Sequence, residues 1–569
     1  MLTKILTQSG VLLLLIFSVL FAGCTEDKVV INELDEPMRQ ITRFAFEEFT
    51  PAREGVISND SGFIKVMIPL GADASDLVPT IEFSPNAVIS PNNAVAQDFS
   101  DFVVYRVTDP EDRVRLYTVT VENDPVPKSD EAMLTSIKFP ALFREGTINE
   151  DTKEVLLEVG FGTDVSSINI TTEFSEAEAS IAASTDLDLS SDYVLTVTAP
   201  DGVTTVDYTI KTTILPQETG IRGVWLTNVD SNVLSSKAGI EEAVDVCDAL
   251  NINTIFVVTY NRASTTYPSQ VMEDLVGTRI ASQYVGRDPL RELIDAAHAK
   301  DIKVIGWFEY GFTAFNGSPG PILTAEPDWG AINSDGEQVV KNGFWWLNSL
   351  LPDVQNFMND LILEVVNNYP DIDGVQGDDR LPAMPSEAGY DTYTKTEYAA
   401  ENGGAEPPTN RLDPDWLQWR ADRLNAYAKD LYDTVKSINP NCIVAQSPSP
   451  LSFGFTEYLQ DYSAWVQGGY SDIISPQLYR RDNQGMAVYR SLLTDQIAAV
   501  GQDNKDVFYP GVLSYLGSYV PEEEFLANMI LENRAQGITG EVHFFYNVLI
   551  VREEVLKAMY PGKAIFPDL

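Results

Sequence analysis

Asp373-Gly374-Val375-Gln376-Gly377-Asp378-Asp379-Arg380, residues 373–380, reads as a short β-strand that runs straight into two acids and an arginine. Side chains alternate along a strand, so Gln376 and Asp378 share one face while apolar Val375 takes the other. In a closed barrel of parallel strands that parity sends Val375 to the surrounding helices and aims Asp378 into the lumen at the mouth. Seven further stretches carry a strand pattern, at 221–227, 254–260, 303–309, 442–447, 472–479, 507–513 and 541–546. Between them the apolar spacing changes to three and four residues, which predicts helices over 241–250, 288–300, 354–368, 416–438, 486–500 and 521–536. Eight strands alternating with helices over residues 220–569 predict an α/β (β/α)8 TIM barrel, whose catalytic face is the C-terminal end of its strands.

Upstream of the barrel the apolar period falls to two, in runs such as Phe63-Ile64-Lys65-Val66-Met67-Ile68 and Leu116-Tyr117-Thr118-Val119-Thr120-Val121. Gly71-Ala72-Asp73-Ala74-Ser75-Asp76 and Ile81-Glu82-Phe83-Ser84 recur about 91 residues later as Gly162-Thr163-Asp164-Val165-Ser166-Ser167 and Thr172-Glu173-Phe174-Ser175. The chain is therefore expected to be multidomain, with two tandem antiparallel β-sandwich domains of immunoglobulin-like size, 41–125 and 133–215, before the barrel. The aromatic residues of these repeats fall mostly on the core face, so the sandwiches read as spacers.

At the start, Lys4 precedes the apolar run 11–17, too short to span a bilayer and consistent with a secretory signal over 1–23. Phe21-Ala22-Gly23-Cys24 resembles a bacterial lipoprotein cleavage box, which implies lipid on Cys24, and Glu26-Asp27 resembles a surface-export signal. The polar stretch 24–40 then acts as an acidic tether. The expectation is an outer-membrane lipoprotein exposed at the cell surface, touching the membrane only through its lipid.

Composition narrows the chemistry. Lys and Arg number 38 against 84 Asp and Glu, a net charge of −46, which repels a phosphate backbone and argues against a nucleic-acid partner. Three cysteines and two histidines cannot build a disulfide scaffold or a Cys/His metal site, and no Asp-x-Asp-x-Asp loop is present, so no metal and no cofactor are expected. Cys247 and Cys442 read as buried free thiols.

Carboxylates must then carry the reaction, and the strand ends supply them. Asp378 and Asp379 are the leading catalytic candidates. Glu309 shares the parity of Ile305 and Trp307, the face of that parity being open, and Glu541 lies in phase with His543 on the eighth strand. Gln376, Arg380, Gln477, Tyr479 and His543 are candidate substrate-binding groups, with Trp307, Trp345 and Trp346 as stacking surfaces. His298, inside a helix on the far side of the barrel, reads as a packing residue. The Pro- and Tyr-rich insert 381–413 follows the fourth strand and should overhang the mouth as a lid or a subsite wall.

Arg222-Gly223-Val224-Trp225-Leu226-Thr227, Tyr267-Pro268-Ser269, Ala297-His298, Gly306-Trp307-Phe308-Glu309-Tyr310-Gly311, the 373–380 stretch and Pro476-Gln477-Leu478-Tyr479 together resemble the glycosyl-hydrolase-like family 10 domain, from about residue 220 to 560. The resemblance implies a (β/α)8 glycoside hydrolase whose Asp-Asp pair is Asp378 and Asp379. Its best-known bacterial members act on peptidoglycan strands stripped of peptide. Gln376-Gly377 before the acids and Arg380 after them depart from the family's usual His and aromatic residues, which marks a different branch. The implied protein is a surface-anchored hydrolase of a polysaccharide or peptidoglycan glycan, with Asp378 stabilising or attacking the oxocarbenium ion, Glu309 as acid and Glu541 in reserve. Asp379 and Arg380 would tune Asp378. The alternative is a non-catalytic surface glycan-binding lipoprotein, against which the paired acids argue.

Overall fold

The structure is a computed structural model that describes residues 36–182 and 186–569. The signal segment 1–23, Cys24 and most of the 24–40 tether lie outside the described residues. The tether's last residues, Glu36–Arg39, form one 3-10 turn, and the Gln40 N–H donates to Ser84 Oγ at 2.8 Å. The chain divides into two compact units, up to Lys128 and from Ser129 to the C-terminus.

The first unit pairs a three-stranded antiparallel sheet (Arg53–Glu54, Ile41–Phe46, Pro79–Phe83) with a five-stranded one, in the order Val56–Ser58, Phe63–Ile68, Val114–Asn123, Val103–Thr108, Val88–Ser90. Burial follows the two-residue period: Ile64, Val66 and Ile68 point inward against Phe44, Phe46, Tyr105 and Tyr117. Phe63–Ile68 pairs in parallel with Val114–Asn123, so the sheet is mixed rather than wholly antiparallel. The second unit opens with a repeat of that topology. Arg144–Glu145, Leu134–Phe139 and Thr171–Phe174 face Thr147–Asn149, Glu154–Val159, Thr205–Ile214, Tyr193–Thr198 and Ser180–Ile181, again with one parallel pair. The recurrence seen in the sequence is thus a recurrence of whole sandwiches.

The rest of the second unit is the barrel. Its strands are Arg222–Leu226, Thr254–Val258, Lys303–Phe308, Gly374–Gly377, Ile443–Gln446, Ile473–Ile474, Gly511–Leu513 and Glu541–Phe544. They pair in parallel in the order 6-5-4-3-2-1-8-7. Single bridges Ile474 to Phe508 and Gln477 to Gly511 join the sixth strand to the seventh and close the ring. The sixth strand is shorter than 472–479 because Pro476 has no N–H to give to the ladder. Helices such as Pro289–His298, Pro352–Asn368, Pro414–Ile438 and Met486–Val500 turn Leu, Ile and Val onto the outer strand faces. Cys247 and Cys442 are buried and free. Among the described residues no helix is long and apolar enough to cross a membrane.

The second sandwich packs on the N-terminal end of the barrel. Phe143 joins the barrel core, Arg144 Nη1 lies 3.8 Å from Met559 Sδ, and Glu218 in the connection pairs with both Arg222 (3.1 Å) and Arg534 (2.8 Å). The end with the acids lies opposite this contact.

Candidate active site

The fourth strand positions the site. Val375 packs outward and Gln376 points into the lumen, where its Oε1 accepts from Trp225 Nε1 at 2.8 Å. One residue pair later Asp378 stands at the mouth, only 3 % exposed. Gln477 Nε2, from beyond the sixth strand, donates to Asp378 Oδ1 at 2.6 Å, and Arg380 Nη2 donates to Oδ2 at 3.1 Å. Arg380 is itself fixed: its Nε donates to the Glu309 carbonyl at 3.0 Å and lies 3.5 Å from Asp379, and its plane sits 4.8 Å over the Phe344 ring. Gly311 makes this crowding possible. It adopts φ +47°, and a Cβ there would fall 2.3 Å from the Arg380 carbonyl oxygen.

The third strand resolves the parity of Glu309: with Trp307 it faces the lumen. Its carboxylate accepts from Asn261 Nδ2 at 2.9 Å and lies 3.9 Å from Arg380 Nη2. The same guanidinium nitrogen therefore touches Asp378 and reaches Glu309. The facing oxygens are then at most about 7 Å apart, compatible with the roughly 5 to 9.5 Å between paired acids of glycoside hydrolases. Below the acids lies an aromatic floor. Trp225 and Trp307 are 6.4 Å apart, both contact Phe544, and Phe544 stacks on Tyr479 at 5.2 Å. Trp307 Nε1, Gln376 Nε2 and Asp379 Oδ1 are buried and make no hydrogen bond within the described protein, which leaves two donors and an acceptor unpaired in the site.

Three carboxylates share one guanidinium, and burial decides who keeps a proton. It pushes the Asp378 carboxyl well above its ordinary range; the neighbouring Asp379 charge adds to this and Arg380 opposes it. Glu309 is also pushed up by burial, against the pull of Arg380 and the Asn261 hydrogen bond. Burial works against the charge of Arg380, but the three acids around it outweigh that effect and hold it protonated. Burial thus biases both carboxyls toward the protonated form, Asp378 the more strongly, and Arg380 opposes that bias at each.

Asp378, Asp379, Arg380, Glu309, Gln376, Trp307, Gln477 and Tyr479 come together; other sequence candidates do not. Glu541 and His543 share a phase, but it is the outer one, and Glu541 begins its strand, at the end opposite Asp378. Glu541 accepts from Arg534 and Asn533, each at 2.8 Å, and from the Tyr560 hydroxyl. Burial pushes its carboxyl up, yet Arg534, His543 and Tyr560 together hold it below the ordinary range. His543 is fully buried between Ser514 (2.9 Å) and Tyr560 (2.7 Å). Neither residue reaches the lumen, so the catalytic reading of Glu541 and the substrate-binding reading of His543 are withdrawn. Trp346 is buried in a satellite core and stacks on Tyr458, whereas Trp345 stays half-buried against the barrel. Residues 381–390 of the insert are almost entirely buried, with Arg420 donating to the carbonyls of Ser386 and Ala388, so this part is a fixed wall. His298 pairs with Asp373 at 2.8 Å, away from the mouth. Asn261 and Phe544 were given no site role from the sequence, and Trp225 was read only as part of a family motif. Their signal was position alone, at or just beyond strand C-termini.

Residues 220–514, more than half of the chain, match the family pattern described as glycosyl hydrolase-like 10. The chain belongs to the glycosyl hydrolase-like 10 family. Ahead of this domain, residues 41–121 and 134–212 each match the pattern described as SGBP, N-terminal. The glycosyl hydrolase-like 10 chain is 27% identical over 343 residues to glycosyl hydrolase DigH of Escherichia coli (strain K12), covering 52% of this chain and 73% of that protein. It is 23% identical over 401 residues to glycosyl hydrolase YngK of Bacillus subtilis (strain 168), with 61% and 73% covered. A solved structure, the PgaB (BpsB) glycoside hydrolase domain from Bordetella bronchiseptica, is similar over 60% of this chain and 99% of that one, at a TM-score of 0.45 and 14% identity.

Proposed function

We propose that this glycosyl hydrolase-like 10 protein is an active glycoside hydrolase, held at the outer cell surface by lipid on Cys24, that cuts a polysaccharide or a peptidoglycan glycan strand. The observation that carries the reading is the pair Asp378 and Glu309, bridged by Arg380 above a floor of Trp225, Trp307 and Phe544. Glu309 gives its proton to the glycosidic oxygen as the bond to the anomeric carbon breaks. Asp378 stabilises or captures the oxocarbenium ion, and water then supplies the hydroxyl and returns the proton. Arg380 and Gln477 keep Asp378 oriented, and Asp379 completes the charge set around Arg380. Trp307 Nε1 and Gln376 Nε2 donate to sugar hydroxyls, with Tyr479 and Trp345 as flanking aromatic surfaces.

A specific observation favours a second reading. Both sandwiches match a family named for surface glycan-binding proteins, which fits a barrel that holds glycan without cutting it. Product release by residues 25–569 from a panel of polysaccharides and denuded peptidoglycan strands separates the two. The hydrolase reading expects cleavage that falls by about 10²- to 10⁴-fold in Asp378→Asn and Glu309→Gln. Binding without cleavage, equal in wild type and both variants, would establish the binding protein instead.

A further inference from the structure

Beside the acid cluster, though lined by none of its acids, lies a cleft of 830 Å³ whose walls include Gln477, Tyr479, Arg480, Phe453 and Asp495. Two wall residues link the cleft to the site: Gln477 donates through its amide to Asp378, and the Tyr479 ring stacks on Phe544 of the site floor. Phe453 is 53 % exposed there, a free face for a sugar ring.

Arg480 is the unusual member. Acids outnumber cations more than two to one in this chain, 84 to 38, yet Arg480 forms no ion pair among the described residues. Its Nη1 donates to the carbonyl of Tyr479 at 2.7 Å, and its buried Nε meets no acceptor. Asp495, the acid of the cleft wall, is exposed and makes no ion pair with it. Next along the chain, Arg481 lies over the Tyr519 ring at 4.8 Å, also without an acidic partner among the described residues. Arg262, exposed after the second strand, forms no ion pair among the described residues either, but its charge already acts on Glu309 and it hydrogen-bonds Tyr310. The net charge of −46 does not cancel these arginines, because at physiological salt the screening length is about 8 Å and the local groups decide. Asp378, Asp379 and Glu309 would repel an anion on the sugar being cut. An anion one or more sugars along the cleft meets Arg480 instead.

We propose that this cleft is a subsite for a sugar bearing a carboxylate or sulfate group, recognised by the Arg480 guanidinium, so that the substrate is an acidic glycan. The inference rests on the hydrolase reading for its link to cleavage, but its binding content stands by itself. A planar guanidinium with unused donors suits either anion, and Lys would replace its charge but not its paired geometry.

The test is calorimetric titration of residues 25–569 carrying Asp378→Asn, with matched pairs of oligosaccharides. One pair is xylo-oligosaccharide with and without glucuronate branches, and the other a galactan oligosaccharide with and without sulfate. The expected result is at least about tenfold tighter binding of the acidic member in one pair, which also says which anion is read. The preference should weaken with added salt, vanish in Arg480→Gln and return in part in Arg480→Lys. Equal affinity within both pairs, a preference untouched by Arg480→Gln, or no binding of either acidic probe overturns the proposal. An Arg480-dependent preference in a protein that cuts none of these glycans would leave the subsite standing and remove only the hydrolase.

Discussion

Arg380 is the residue on which the site turns, because its one guanidinium serves Asp378, Asp379 and Glu309. Its charge opposes the effect of burial on both Asp378 and Glu309. Arg380→Gln removes that opposition, so both carboxyls should ionise at higher pH. The acid limb of the kcat/KM profile should move up, with a loss of about 10²-fold or more at neutral pH. A profile that falls in height without moving would show Arg380 to be a scaffold only. Asn261→Ala tests the same logic at Glu309 alone. Losing a hydrogen bond to the ionised form should raise that carboxyl further and reduce kcat by roughly tenfold, with KM little changed.

At the scale of elements, the eighth strand shows how one sequence pattern serves two ends of a barrel. Its inner residues Val542 and Phe544 face the lumen, while its outer residues Glu541 and His543 tie it to the helix Glu523–Ala535 and to Tyr560. Glu541→Gln breaks a buried ion pair and should cost about 3 to 5 kcal/mol in urea unfolding while specific activity per folded molecule holds. An activity loss without a stability loss would return Glu541 to the catalytic site. His543 supplies a pH signature. Burial pushes its imidazole down to about 4, with Arg534 acting in the same direction and Glu541 against it. The neutral folded form then contributes fully above the unfolded value near 6.5, and the contribution is lost as pH falls from there toward 4. The amount is on the order of 3 kcal/mol. Unfolding free energies of wild type and His543→Gln between pH 7 and 4 should diverge in slope over that window.

On the scale of the molecule, the second sandwich and the barrel form one compact unit, joined by Phe143, by the Arg144–Met559 contact and by Gly162 packed against Pro561-Gly562. A chain starting at Ser129 should melt in one transition. One that starts at Leu215 should keep the barrel but melt roughly 2 to 5 °C lower, as those contacts are lost. Two separated transitions in the longer chain would show that the sandwich is an independent spacer after all.

Local periodicity carried most of the architecture. The shift from a two-residue to a three-and-four-residue apolar spacing is a property of neighbouring residues, so the eight strands, their helices and the paired repeats were legible from sequence alone. Asp378 was legible too, because Val375 beside it fixed the parity of its strand. Glu309 and Glu541 show where that reasoning ends. Each sat in a definite phase, but which phase faces the lumen depends on what covers the strand, and the cover comes from other elements: Arg380 beyond the fourth strand for Glu309, and Arg534 and Tyr560 on either side of the eighth strand for Glu541. Only the closed barrel decided that Glu309 meets Asp378 across one arginine while Glu541 is sealed under a helix, because burial and charge act through space rather than along the sequence.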